Sequence, residues 1–132
     1  MEKAAAFFET QRYAGLMGCT VEFTKAEGLA FSAELGTVYI ASARLNHGMT
    51  DGAIPINGYP YIYDISAARD DIRLPENLCG GVIEMDVNLN SGSWKPVRAR
   101  MAITGAPNLG DPQNTCSTNR IAGPDNLFVI PG

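Results

Sequence analysis

The chain has 132 residues, of which 45% are hydrophobic and 18% are charged, and its formal net charge is −4. This length predicts a single domain spanning residues 1–132 with a buried core, and the apolar content argues against disorder. Nucleic-acid binding needs a basic stripe that neutralises phosphates, and no basic cluster extends beyond Arg98 and Arg100, so we predict no nucleic-acid partner.

Two observations bear on the compartment. No apolar run approaches the ~20 residues that cross a bilayer, which predicts that no segment spans a membrane. The N-terminus is too polar for a secretory signal because Glu2, Glu9 and Arg12 interrupt any apolar run. The chain is therefore expected to be cytoplasmic if it is complete and extracellular if a leader has been removed.

The first predicted element is a helix from about residue 2 to residue 16. Three consecutive alanines favour a helix, and Phe7 and Phe8 contribute to a wide apolar stripe that needs a surface to cover. Gly15 and Gly18 suit its termination.

The pattern then changes from a helical period to alternation. It predicts an antiparallel meander of three strands over residues 19–45, joined at Gly28 and Gly36. A helix over residues 29–45 is the alternative, which Gly36 and the β-branched Thr37 disfavour. The residues predicted to face one side are Val21 and Phe23, then Leu29, Phe31, Ala33 and Leu35, then Val38 and Ile40.

The clearest predicted element is a β-hairpin over residues 82–103, with a turn at 90–93. Alternating apolar residues on its two strands give one register in which apolar side chains share a face and opposite charges share the other. Because Pro96 has no N–H, we expect it at an edge or at a bulge near the turn. The predicted pairs are Val87 with Val97, Met85 with Ala99, Ile83 with Met101, Asp86 with Arg98 and Glu84 with Arg100.

The C-terminal tail is rich in Gly, Pro and Asn and is predicted to be mostly loop, with a short final strand at residues 126–130.

The loop at residues 45–60 contains the only histidine. His47 and Asp51 are four residues apart, and the carboxylate could orient the imidazole as a general base, which makes the pair candidate catalytic residues. No nucleophile motif accompanies them. The alternative is a surface histidine in a connection.

Aromatic residues supply candidate ligand-binding positions. Tyr59, Tyr61 and Tyr63 recur at period two and would line one face of a strand, either as a wall for a small apolar or aromatic ligand or as core. Trp94, at the hairpin turn, is either a contact residue or a cover for the edge of the core.

The three cysteines have no C-x-x-C spacing, so we predict no metal site, and no phosphate or dinucleotide motif indicates a cofactor. Three free thiols are the first expectation. The alternative is one disulfide between Cys79 and Cys116, closing a loop of about 37 residues and contributing roughly 3–4 kcal/mol.

Together these elements predict an α+β fold, an N-terminal helix packed on a curved antiparallel β-sheet of five to seven strands. The alternative is a mainly-β barrel or sandwich with one helix. The predicted function is a non-catalytic module that binds a ligand or assembles with protein subunits, including copies of itself, through a pocket or interface rimmed by the 46–60 loop. One alternative is a small-molecule enzyme with a His/Asp/Tyr site. A second is an extracellular pilin-type subunit domain, suggested by analogy of layout, which requires the Cys79–Cys116 bond.

Overall fold

The fold is given by a computed structural model, which describes residues 2–20, 22–51, 71–91 and 95–131. Contacts divide the chain into two compact units: unit 1 comprises Met1–Thr24 and Asn46–Glu76, and unit 2 comprises Lys25–Leu45 and Asn77–Gly132. No helix in the described part of the chain is long and apolar enough to span a membrane.

Unit 1 begins with two short helices, α1 (Glu2–Phe8) and α2 (Thr10–Leu16), instead of the single predicted helix. The break lies at Glu9, whose backbone is not helical (φ −133°, ψ 42°). The Thr10 hydroxyl donates to the Ala6 carbonyl at 2.7 Å, a contact of the kind that bends helices. Gly18, with φ 89°, follows the end of α2 as the sequence predicts.

Unit 2 is built on a four-stranded antiparallel sheet in the order β1-β2-β3-β4. The described residues therefore combine an antiparallel sheet with short helices, which agrees with the α+β class in its coarse form. The packing of a helix on a curved sheet stays a prediction. The strands are β1 (Ala26–Ser32), β2 (Thr37–Ser42), β3 (Gly81–Val87) and β4 (Pro96–Thr104).

The predicted three-strand meander is a two-strand hairpin, and the helical alternative over residues 29–45 is wrong. Strand β1 ends at Ser32 because the Ser32 hydroxyl oxygen accepts the Leu35 N–H at 3.2 Å and starts a turn. Gly36 completes the turn with φ 60°. Leu35, predicted to share a strand face with Leu29 and Phe31, therefore lies in a turn and is 66% exposed.

The β3–β4 hairpin has the predicted register at four of its five predicted pairs, from Ile83 opposite Met101 to Asp86 opposite Arg98. The fifth pair is wrong, since a register shift after Asp86 places Val87 opposite Pro96. Pro96 thus opens an edge strand next to an irregularity, as expected for a residue without an N–H. A short 3-10 helix (Leu89–Ser91) follows β3.

The C-terminal residues 124–131 form no strand, contrary to the prediction for 126–130. The backbone of Asp125–Leu127 instead passes closely over Gly28 in β1. A Cβ on Gly28 would meet the Asp125 carbonyl oxygen and lie 3.0 Å from the Leu127 nitrogen, so only glycine fits at this crossing.

Residues 77–80 join the sheet of unit 2 to its long C-terminal segment. Asn77 exchanges two backbone hydrogen bonds with Leu45 (2.9 and 2.8 Å), and its side-chain amide donates to the Gly105 carbonyl at 2.8 Å. The Cys79 carbonyl accepts the Gly123 N–H at 2.9 Å, and the Gly80 carbonyl accepts the Gly105 N–H at 2.9 Å. Three residues of this four-residue segment, Asn77, Cys79 and Gly80, therefore hold the start of β3 against both neighbouring segments.

We expect Gly80→Ala to destabilise unit 2 far more than Gly123→Ala. Both glycines have positive φ (69° and 52°), so an alanine at either position costs about 1–2 kcal/mol of backbone strain. A Cβ at position 80 would also meet the Ser42 carbonyl and lie 2.6 Å from the Ala43 carbonyl oxygen, whereas one at position 123 meets nothing within 4 Å. Urea unfolding should give a loss above about 3 kcal/mol for the first variant only. Equal losses would contradict the close approach.

Candidate functional site

The segment that begins at Asn46 forms a compact turn in unit 1. A 3-10 helix (His47–Met49) opens it, and His47 has φ 54°, an uncommon value for a residue with a side chain. The His47 carbonyl accepts two hydrogen bonds from Thr50, one from its N–H at 3.0 Å and one from its hydroxyl at 2.9 Å. These two bonds hold the turn in its strained backbone conformation.

The Glu22 side chain links two segments of unit 1 that are distant in the sequence. Its side chain is buried, with 6% exposure, and its two carboxylate oxygens accept the backbone N–H groups of Asp71 (2.9 Å) and Ile72 (2.6 Å). Alternation with Val21 and Phe23 predicts that Glu22 lies on the opposite face of a strand, but residue 22 lies outside the strands and is buried. The local alternation carried no signal for its partners, because they lie about fifty residues away in the chain.

The His47 turn is held between two segments that Glu22 links. The Thr24 hydroxyl donates to the Asn46 carbonyl at 2.9 Å, and the Leu74 N–H donates to the Met49 carbonyl at 2.9 Å. Gly48 packs against the Glu22 backbone so closely that a Cβ would lie 3.2 Å from the Glu22 Cα. The turn is therefore anchored at both ends, and these contacts fix the backbone from which its side chains project.

The candidate catalytic residues occupy this turn. His47 is half-buried, while Asp51 is exposed and follows the Thr50–Leu74 bridge. Their acid–base role stays a prediction. The candidate ligand-binding residues Tyr59, Tyr61, Tyr63 and Trp94 lie outside the described residues. In the part of the chain that the structure describes, no group of three or more His, Cys, Asp or Glu side chains could hold a metal ion.

The outward face of the β3–β4 hairpin carries a connected set of charges. Asp86 contacts both arginines of β4, with Arg98 Nη2 at 2.9 Å and Arg100 Nη1 at 3.1 Å, and Arg100 Nε also pairs with Glu84. The hydrogen bond from Arg98, together with the one from Arg100, lowers the pKa of Asp86 below its usual 3.8. This arrangement matches the solvated, ion-paired sheet face that the sequence pattern predicts.

Cys79 and Cys116 form a disulfide, and Cys19 is an exposed free thiol. The first expectation of three free thiols is therefore wrong, and the bonded pair is the one named as the alternative. Beside the disulfide, Pro107 and Cys116 form an isolated bridge that closes the loop between them. Within that loop the Asp111 carboxylate accepts the Asn114 side-chain amide at 2.7 Å and the Gln113 N–H at 2.8 Å, and these bonds lower the pKa of Asp111.

Comparison with protein-family models, with curated proteins and with solved structures finds no match for this chain. The function must therefore be inferred from the chemistry of the molecule itself.

We expect Glu22→Ala to lower the free energy of unfolding by about 2 kcal/mol, because two charge-assisted hydrogen bonds are lost. Glu22→Gln should lose less, since its amide oxygen can still accept one N–H. Hydrogen exchange at the Asp71 and Ile72 amides should become faster in both variants. Glu76→Ala, at an exposed position of the same unit, is the control and should change stability by less than about 0.5 kcal/mol. Unchanged exchange at both amides would contradict the clamp.

Arg98→Ala should raise the pKa of Asp86 toward 3.8, because Arg98 supplies the largest lowering contribution. A carboxyl pKa that is lower in the folded state stabilises the fold above the unfolded pKa, and this stabilisation is lost as the pH falls through the folded pKa. Carbon-detected NMR titration of the Asp86 carboxyl measures the shift directly. Arg120→Ala, which removes an exposed cation elsewhere in unit 2, should leave the titration unchanged.

Proposed function

We propose that this chain is a non-catalytic assembly module, a protein subunit that acts by contacting other subunits in an oxidising compartment. One observation carries the proposal: in the described residues, exposed large apolar side chains outnumber buried ones. A chain that worked alone would keep most of this surface from water. The exposed set is Phe7, Phe8, Leu16, Met17, Leu29, Leu35, Leu78, Leu89, Val97, Ile103, Leu109, Phe128 and Ile130.

The N-terminal helices supply the most concentrated part of this surface in unit 1. Phe7 and Phe8, at the end of α1, are 84% and 86% exposed, and Leu16, at the end of α2, is 81% exposed. Helices of seven residues have little stability of their own, so such segments gain order mainly by packing their apolar side chains. This supports a role in contact with a partner.

The disulfide supports placing the module outside the reducing cytoplasm. Disulfides persist in oxidising compartments, and the Cys79–Cys116 bond closes a 37-residue separation in the chain. Helices followed by an antiparallel meander and a late cysteine pair also form the layout of a pilin-type subunit domain. We propose this class by analogy of layout alone.

The first residues of the predicted interface rim at 46–60 also support this proposal. Residues 46–50 are held by Thr24 and by Leu74, so the start of the loop has a fixed position from which to present a surface. A fixed rim favours binding because less conformational entropy is lost when a partner docks.

A thiol count tests the compartment. The chain, produced in an oxidising compartment and then denatured without reductant, should react with one equivalent of an alkylating agent, at Cys19. Cys19→Ser should reduce the count to none. Removing the disulfide by Cys79→Ser with Cys116→Ser should lower the free energy of unfolding by about 3–4 kcal/mol. Three reactive thiols in the natural chain would overturn the extracellular assignment.

The enzyme alternative predicts a different effect of replacing His47. An assembly module should retain its self-association after His47→Ala, whereas an enzyme that uses the His47 imidazole should lose turnover of its substrate. Sedimentation of the variant, compared with the natural chain, tests the first expectation, and an activity assay tests the second.

A further inference from the structure

The sheet of unit 2 has two edges, β1 and β4, and β4 is the more exposed. All residues from Pro96 to Arg100 are exposed, and Val97 is 67% exposed. No backbone hydrogen bond in the described residues joins the outer side of β4 to another segment. An open edge of this kind accepts an extended strand through main-chain hydrogen bonds.

We infer that the outer edge of β4 pairs with the outer edge of β1 in a second copy of this chain. The inference rests on the proposed assembly function and names the partner for that function. In a four-stranded antiparallel meander the outer strands run in opposite directions. A copy displaced sideways therefore presents its β1 antiparallel to β4, and the sheet continues from one copy to the next.

Over the same rows of the sheet, no backbone hydrogen bond joins either edge to another described segment, and on β1 the exposure falls from 68% at Leu29 to 6% at Ser32. On β4, pairing is limited by the irregularity between its partners Val82 and Ile83, and on β1 it is limited by the C-terminal backbone that crosses Gly28. Both limits fall in one row, because Gly28 pairs with Ala41, Ala41 with Val82 and Val82 with Ile103. The rows beyond it run from Met101 to Arg98 on β4 and from Leu29 to Ser32 on β1.

Side chains along these rows favour the β4–β1 pairing. Met101 would lie beside Leu29 of the second copy, which extends the apolar face over a residue that is 68% exposed. On the other face, Arg98 and Arg100 would lie beside the small Ser32 and Ala30 of the second copy. Pairing of β4 with itself would instead bring like charges together, which is unfavourable.

Charge at the turn end of the sheet also favours this partner. Lys95 precedes β4, and Glu34 lies in the β1–β2 turn at the same end of the sheet. Within one chain the backbone at Lys95 and the backbone at Glu34 are separated by three strand spacings, about 14 Å. This separation is too large for their side chains to form an ion pair. No described residue forms an ion pair with either side chain. A second copy at the β4 edge brings its Glu34 next to Lys95.

Association through four rows is small, so we expect weak, open-ended oligomers whose average mass increases with concentration. The test uses sedimentation velocity on the full chain from roughly 10 µM to 1 mM, with Cys19→Ser to prevent intermolecular disulfides. Ala99→Lys places a charge in the apolar row and should weaken association more than tenfold. Ala122→Lys, at an exposed position outside the strands and outside these four rows, should not weaken it.

The decisive experiment is a charge exchange. Lys95→Glu and Glu34→Lys should each weaken association about fivefold, and the double variant should restore it. Because the two side chains are too far apart within one chain, rescue can only arise between copies. Arg120→Glu, which changes the net charge by the same amount as Lys95→Glu, should have no effect on association.

Each other outcome overturns the inference. A discrete dimer would indicate pairing of like edges, and association without rescue by the double variant would place the contact elsewhere while leaving the assembly function intact. A chain that stays monomeric at every concentration, yet has one reactive thiol, would exclude a second copy as the partner but not an extracellular assembly with another protein. Far-UV circular dichroism of each variant shows whether a loss of association reflects unfolding.

Discussion

The short segment Asn77–Gly80 is the constraint on which unit 2 depends. Its backbone bonds to Leu45 after β2, its side chains reach Gly105 after β4, and its cysteine is bonded covalently to Cys116. Gly80 lies so close to the carbonyls of Ser42 and Ala43 that no other residue fits. These contacts fix where β3 begins, and the position of β3 sets the rows across all four strands. The buried apolar residues of unit 2 lie near this start, among them Ala41, Val82 and Ile83.

A second constraint of the same kind operates in unit 1. The buried Glu22 carboxylate accepts hydrogen bonds from two backbone N–H groups, and the turn containing His47 is held alongside it. A buried charge is costly unless such hydrogen bonds compensate it. In both units, therefore, long loops are fixed by a few polar or covalent contacts. Within the part of the chain that the structure describes, few apolar side chains are buried, which is consistent with this form of stabilisation.

Because few apolar side chains of the described residues are buried, many others are exposed at the surface. The proposed function rests on that surface. The exposed phenylalanines of α1 belong to unit 1, and the exposed edge of β4 belongs to unit 2. The edge also carries features that limit pairing, namely Pro96 at its start and an irregularity near its end. Such features leave a short window for pairing, which keeps the proposed association between copies weak.

The sequence by itself determined the local features. Alternating apolar residues and opposite charges gave the β3–β4 register from Ile83 to Asp86, because both patterns depend only on neighbouring residues and one turn. It also indicated glycine at the end of the N-terminal helical segment and proline at an edge. Alternation could not reveal that β1 stops at Ser32, since a side-chain hydrogen bond and the backbone of Gly36 decide it. Only the tertiary structure brought Glu22 to Asp71 and Asp125 to Gly28, and it decided that Cys79 bonds to Cys116, a pair that the sequence offered as an alternative to free thiols. Those contacts join residues far apart in the chain, and no short-range period encodes them.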